Sequence, residues 1–390
     1  MKNTSQLISS RLSLMIIVIM IVLSACAPAQ ATPPPTRDYW PTTGWRSDTF
    51  ANRGFDEAKL AGLKTKIEQD LPFLDSLLII KDGYLVFEEY FNGYDASRLH
   101  PVHSVTKSFT SALIGLAQAE GKISNLDATL GAVLPDYFTG GQYEDKKGTT
   151  LRQLLMMRSG LDFDQDTVYA EQAARGVEFF LEQDLTEYLL NYPMAHPPGT
   201  AWNYSDADPQ LLSAAFNALT GQSLESYAAQ RLFPALGIAD WTWPADAAGV
   251  SIGGTLLELT PRDMAKFGYL YLNQGHWNGQ QIIPAAWVEQ STMPQGDGFY
   301  VPTGETIPIE FYGYLWWLWK PSWFHGHEAI HARGYGGQWI DIFPDLDLIV
   351  VSTANGEVDR AGDTAQETAI DNLIWERILL AVKGVEATPR

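Results

Sequence analysis

Serine is a weak nucleophile until a neighbouring group takes its proton, and a lysine one helical turn away is able to do so when it is desolvated and neutral. The segment His103-Ser104-Val105-Thr106-Lys107 holds the only Ser-x-x-Lys of the 390-residue chain. Positions i and i+3 share a helix face, so a helix here puts the Lys107 amine beside the Ser104 hydroxyl. Ser104 also falls at the expected start of that helix, where free N–H groups and the helix dipole stabilise an oxyanion. By itself the motif is short enough to arise by chance, and its weight comes from this placement.

Such a pair needs a proton carrier and a second source of oxyanion hydrogen bonds. Three segments compete for the carrier: Tyr90-Phe91-Asn92, Tyr271-Leu272-Asn273 and Tyr204-Ser205-Asp206. Tyr90 falls in an expected strand and Tyr271 inside a helix of core residues, so both read as packing. Tyr204 follows the turn-rich Pro197-Pro198-Gly199-Thr200 and precedes a helix, a place from which a side chain can face a site. For the oxyanion, Ala332-Arg333-Gly334-Tyr335-Gly336-Gly337-Gln338 offers three glycines in four positions just before a strand, so a substrate can approach bare backbone.

The elements that must position these residues can be read from periodicity. Residues 56–70 have helical spacing, and Leu77–Lys81 and Tyr84–Phe91 read as a hairpin around Asp82-Gly83. Helices are expected over 104–120, 151–158, 176–191, 208–219 and 223–233, with another opened by Thr260-Pro261. Strands return at Tyr314–Trp319, Gln338–Phe343 and Leu348–Thr353, and a last amphipathic helix covers 364–382. Strand-rich ends around a helical middle imply an α/β fold: one antiparallel sheet built from both termini, flanked by helices, with a mainly helical insertion over about 104–236.

Acids outnumber bases 46 to 26, for a formal charge of -20. A nucleic-acid binder needs the opposite sign, so nucleic acid is excluded as a partner. Lys2 and Arg11 precede an apolar run, Leu12–Leu23, which is too short to span a bilayer comfortably. Leu23-Ser24-Ala25-Cys26 then resembles a bacterial lipoprotein cleavage box. The expectation is a signal peptide over 1–26, lipid on Cys26, a Pro/Thr-rich linker over 27–55 and a catalytic body over 56–385, held outside the cytoplasm on a bacterial membrane. Cys26 is the only cysteine, so no disulfide forms within the chain.

With these motifs in place, the chain resembles the serine β-lactamase and penicillin-binding-protein superfamily, in its class C β-lactamase-like and esterase-like branch. Further matches in the same order are Leu151-Arg152-Gln153-Leu154-Leu155 with Ser159-Gly160-Leu161, Pro198-Gly199 ahead of Tyr204-Ser205, Gly253-Gly254 ahead of the Thr260 helix, and the Pro344-Asp345 turn. The resemblance implies a β-lactamase/transpeptidase-like fold with Ser104 as the acylated nucleophile, Lys107 as its base partner and Tyr204 as the proton shuttle. It implies oxyanion donors from the N–H of Ser104 and of a residue near Gln338, and no cofactor. Two departures stand out. Asp206 occupies a position that is usually Asn: either it points away, or Lys107 stays charged and holds Tyr204 as the working base. The third motif lacks the Lys or His that binds a substrate carboxylate, and Arg333 is the one nearby replacement.

The substrate on this reading is a small ester, amide or peptide; carboxylesterase, amidase, D-amino-acid peptidase, β-lactamase and a silent ligand-binding homologue all remain open. His325, His327 and His331 gather three of the seven histidines, but with no cysteine and no suitably placed Asp they read as a polar loop rather than a metal site. Of the aromatic run Tyr314–Trp319, one or two Trp could line an acyl pocket. If Cys26 is lipidated, Cys26→Ser should move the protein from the membrane to the soluble fraction or block processing, as checked by detergent partitioning and the N-terminal mass of the mature chain.

Overall fold

The computed structural model describes residues 36–167, 181–295, 311–319 and 325–388, with the single positions 170 and 176. The leader, Cys26 and the first part of the expected linker (27–35) lie outside the described residues, as do residues 177–180 of the helix expected over 176–191.

Seven strands form one antiparallel sheet: β1 (Leu74–Lys81), β2 (Tyr84–Tyr90), β3 (Phe311–Tyr312), β4 (Trp317–Trp319), β5 (Ala329–Gly334), β6 (Gln338–Phe343) and β7 (Leu348–Ala354). Their order is β2-β1-β7-β6-β5-β4-β3, so the N-terminal hairpin lies against the last strand. Both faces of the sheet are covered. Leu78 and Ile80 face one apolar core with Ile340, Ile349 and Val351, while Leu77 and Ile79 face another with Trp339 and Val350. That is the period of two of a strand, and covering both faces explains the unbroken apolar run in β1.

Helices α1 (Leu63–Asp70) and α5 (Arg360–Leu373) cover one face through Leu63, Ile67 and Ile370. On the other lie α2 (Val105–Ala119), α3 (Ala207–Thr220) and α4 (Pro261–Leu272). Phe109 of α2 stacks on Phe267 of α4 with ring centroids 3.7 Å apart. Helix α4 begins as its residues demand, with the Thr260 side chain accepting from the Asp263 N–H and proline in the first turn.

Several elements differ from expectation. The helix over 56–70 is two pieces, Glu57–Leu60 and Leu63–Asp70, because Gly62 adopts φ 68° between them. Strand β5 has no counterpart in the sequence reading, since its polar His331 and Arg333 hide the apolar alternation. The strand expected from Tyr314 shrinks to Trp317–Trp319, with Leu315 at φ 62° in the preceding turn. The last helix starts at Arg360 and passes at Leu373 into a π-helical stretch, Ile374–Leu379.

The expected linker over 27–55 is corrected for its described part. From Arg37 onward the chain packs into the body. Arg37 donates to both carboxylate oxygens of Asp347, at 2.6 and 2.8 Å, and to Asn273 Oδ1 at 2.7 Å. Trp40 sits against Tyr269 and Trp277, and Ser47 bridges to Leu85. The Arg37 side chain is only 4 % exposed, so removing it strands a carboxylate. Arg37→Met should cost about 2–4 kcal/mol of stability, seen as a lower urea midpoint with an unchanged slope.

Candidate active site

Ser104 stands at the N-cap of α2, and its side chain makes no capping hydrogen bond. The hydroxyl is engaged elsewhere: Lys107 Nζ donates to Ser104 Oγ at 2.8 Å. The same ammonium donates to Gly254 O at 2.9 Å and to Asp206 Oδ1, so its three protons have three acceptors. Lys107 is 1 % exposed. Burial by itself would depress its pKa, but the Asp206 carboxylate and the Tyr204 oxygen outweigh it and leave the amine raised. Of the two roles left open for Asp206, the structure selects the second: it faces Lys107 and keeps it charged.

Asp206 is held from its other side by Gln165, whose Nε2 donates to Oδ2 at 2.6 Å while its Oε1 accepts the Asp206 N–H at 2.7 Å. Tyr204 completes the group, near enough to Ser104 and Lys107 for both to act on its hydroxyl. Its ring lies 4.9 Å from Lys107 Nζ and stacks on Trp317 at 5.0 Å. Burial first, offset in part by the Lys107 charge, raises the Tyr204 pKa. The resting pair is therefore an ammonium and a neutral phenol. The two rival tyrosines are packing, as read: Tyr90 donates to Glu88 and Tyr271 packs on Trp316.

The third motif needs correction in register. Gly334 pairs with Gln338 across the β5–β6 hairpin, so residues 335–337 form its turn. The Gly336 N–H is spent on Asp363 Oδ1 at 2.7 Å, and the Gly337 N–H on Gly334 O at 3.2 Å. Gln338 clamps Ala354 through both ends of its amide. None of the three faces Ser104; the glycines let the turn lie against α5. The backbone that does pass Ser104 is Gly334, where an added Cβ would stand 3.1 Å from Ser104 N and 2.4 Å from Val102 O.

Arg333 is corrected too. It is 8 % exposed, lies between the rings of Trp319 and Trp339, and gives its charge to Asp371 at 2.6 Å. An arginine so engaged cannot serve a substrate carboxylate without breaking a buried pair. The three histidines go to different partners, His325 to Trp375 O, His327 to Asp345 and His331 to Asp341; the first two are in the polar loop expected, whereas His331 is fully buried on β5. Among the described residues no cluster of His, Cys, Asp and Glu could hold a metal.

Ser104 opens into a cavity of about 620 Å³. Its aromatic wall is Trp202, Tyr204, Trp317, Trp319 and Tyr335, so the tryptophan run does contribute two pocket residues. The opposite wall was not foreseen. Five carboxylates line it, Asp162, Asp164 and Asp166 on one loop and Asp363 and Glu367 on α5, against Arg333 and Arg360. On α5, Asp363, Glu367 and Asp371 recur every fourth residue and so share a face. Arg360 pairs with Asp363 at 2.9 Å and Arg333 with Asp371. Glu367, the middle one, is half-buried and forms no ion pair with the described residues; burial and then Asp363 push its pKa up to about 8, with the charges of Arg333 and Arg360 offsetting this in part. A carboxyl triplet on the inward face of an amphipathic helix was the available signal, and it lies far along the chain from the motifs.

The sequence model of the beta-lactamase family matches residues 74–373. The chain is similar to 6-aminohexanoate-dimer hydrolase of Paenarthrobacter ureafaciens, with 24 % identity over 80 % of this chain and 78 % of that protein. A shorter match, 28 % identical, joins 48 % of this chain to 38 % of a D-aminopeptidase of Cereibacter sphaeroides. Among solved structures, the D-alanine carboxypeptidase AmpC of Burkholderia cenocepacia superposes with a TM-score of 0.57 at 17 % identity, covering 80 % of this chain and 97 % of the other. A penicillin-binding protein homologue from Pyrococcus abyssi gives 0.58 at 19 %, covering 77 % and 73 %. These likenesses show the fold, an antiparallel sheet with flanking helices.

Because Gly334 touches backbone rather than flexible side chain, Gly334→Ala should force the strand away from Ser104. Single-turnover acylation by a nitrophenyl ester should slow about 100-fold or more with the far-UV spectrum unchanged.

Proposed function

The chain belongs to the beta-lactamase family, a hydrolase fold, and on that premise we propose that it is a serine hydrolase opening short amides and esters through an acyl-enzyme on Ser104. The observation that carries this reading is the buried Lys107 ammonium donating to Ser104 Oγ at 2.8 Å, on the floor of a cavity large enough for a small substrate. Ser104 Oγ attacks the acyl carbon as the neutral Tyr204 hydroxyl takes the serine proton and in the same step passes its own proton to the nitrogen or oxygen of the leaving group, whose bond to the acyl carbon then breaks. Lys107 and Asp206 keep their charges throughout, and the ammonium stabilises the developing alkoxide. The Ser104 N–H and the peptide at Gly334–Tyr335 hold the oxyanion, and water then repeats the sequence in reverse to free the acid.

The acid-lined wall argues for substrates that bring a positive charge or none. A substrate ammonium would give Glu367 the ion pair it does not form among the described residues, and its arrival would draw the Glu367 pKa back down. The names of two relatives, 6-aminohexanoate-dimer hydrolase and D-aminopeptidase, point the same way. With Arg333 committed to Asp371 and Arg360 paired with Asp363, a β-lactam or peptide carboxylate has to compete with a carboxylate of the protein for either cavity arginine. Lipid on Cys26 would hold this activity at the outer face of a bacterial membrane.

Two measurements test the proposal. Brief exposure to a fluorophosphonate should add one adduct mass to the wild type and none to Ser104→Ala, and equal labelling of both would overturn the assignment. For an amino-acyl nitroanilide and its N-acetylated twin, kcat/KM should favour the free amine over the acetylated form and over penicillin. Glu367→Gln should shrink the preference between the twins about tenfold, the size of one charge-assisted hydrogen bond.

A further inference from the structure

Gln165 touches no reacting atom, yet it makes two hydrogen bonds to Asp206, through its side-chain oxygen and nitrogen alike. The carboxylate is thus fixed between an amide and the Lys107 ammonium. Its Oδ1 faces Lys107 and its Oδ2 faces Gln165. Were Oδ2 left without a donor, the carboxylate could turn about its own axis and Lys107 would lose its fixed direction toward Ser104. Gln165 also lies on the cavity wall, between the cavity residues Asp164 and Asp166. We propose that Gln165 is a positioning residue that locks the Asp206 carboxylate onto Lys107, so that the ammonium, and through it Ser104 Oγ, is held in register for acylation.

The charge arrangement makes this role readable by pH. The groups facing Asp206 are Lys107 from α2, Tyr204 on its own loop, Tyr312 from β3 and His103 ahead of α2. Burial pushes His103 down to about 4 and raises Tyr312, while Lys107 is held above its ordinary value, so none of them changes charge between about pH 5 and 8. Gln165 itself does not titrate. A glutamate there would be nearly isosteric. When protonated it reproduces both contacts, donating to Oδ2 and accepting the Asp206 N–H. When ionised it sets two carboxylates against each other, and the clamp opens.

The inference rests on acylation at Ser104, and the experiment separates the two. Acylation of wild type, Gln165→Glu and Gln165→Ala by one neutral nitrophenyl ester is followed from pH 5 to 8, with adduct mass and circular dichroism recorded at each point. The expected ratio of Gln165→Glu to wild-type kcat/KM is near one at about pH 5 and falls roughly tenfold or more by about pH 8. Taking the ratio cancels groups common to both proteins, notably Glu367 near 8 and Asp208, which burial raises to about 7. Gln165→Ala should be slow at every pH. The double variant Gln165→Glu, Asp206→Asn has one carboxylate only and should lose the pH-dependent fall. A folded Gln165→Glu whose ratio is flat across the range overturns the proposal, as does a fall that persists with Asp206→Asn. If Gln165→Glu does not fold, Gln165→Ala with wild-type rates overturns it. No adduct on Ser104 in the wild type would overturn the reading of the site and this inference together.

Discussion

A single buried ammonium organises this molecule's chemistry. Lys107 has three protons and three acceptors, the Ser104 hydroxyl, the Asp206 carboxylate and the Gly254 carbonyl. Each acceptor comes from a different part of the chain: the start of α2, the start of α3, and the loop ahead of α4. A charge this deep is tolerable only when fully paired, since an unpaired one would cost several kcal/mol. The pairing therefore ties α2, the start of α3 and the loop ahead of α4 to one another. Gly254 illustrates how closely the parts must approach, since a Cβ there would stand 2.6 Å from Asp206 Oδ1. The same arrangement forces the choice of proton carrier. An ammonium held beside a carboxylate cannot take a proton, which leaves Tyr204 as the group between Ser104 and the leaving group.

Around that centre the fold separates two tasks. Helix α2 holds Ser104 and Lys107, and the loop ahead of α3 brings Tyr204 to them. The cavity wall that meets the substrate comes from a loop, residues 160–166, and from α5, which arrives from the other end of the chain. On α5 two of three carboxylates are neutralised by arginines and the third is left open to the cavity. A half-buried carboxylate with no ion pair among the described residues is unfavourable for stability, and the Glu367 pKa, raised first by burial, goes with that. Such an imbalance belongs with binding rather than with folding.

What the sequence by itself determined was whatever depends on neighbours close along the chain. Ser104 and Lys107 lie one helical turn apart, so their contact follows from local helix geometry. The Asp82-Gly83 hairpin and the Thr260 cap were legible for the same reason, as was the rejection of Tyr90 and Tyr271, while the single sheet from both ends followed from the order of the elements along the chain. Tertiary structure decided everything that depends on groups distant in the chain. It turned Asp206 toward Lys107, where spacing left both orientations open, and supplied Gln165 to hold it. It moved the backbone beside Ser104 from Gly336–Gln338 to Gly334, because hairpin register is set by pairing across strands and a shift of a few residues leaves the motif looking the same. It committed the Arg333 charge to Asp371 and two tryptophans, although the residue still lines the cavity, because those buried partners compete for it more strongly than a solvated substrate carboxylate can. Local sequence carries no record of such competition: burial and charge pairing are decided only once the chain has closed on itself.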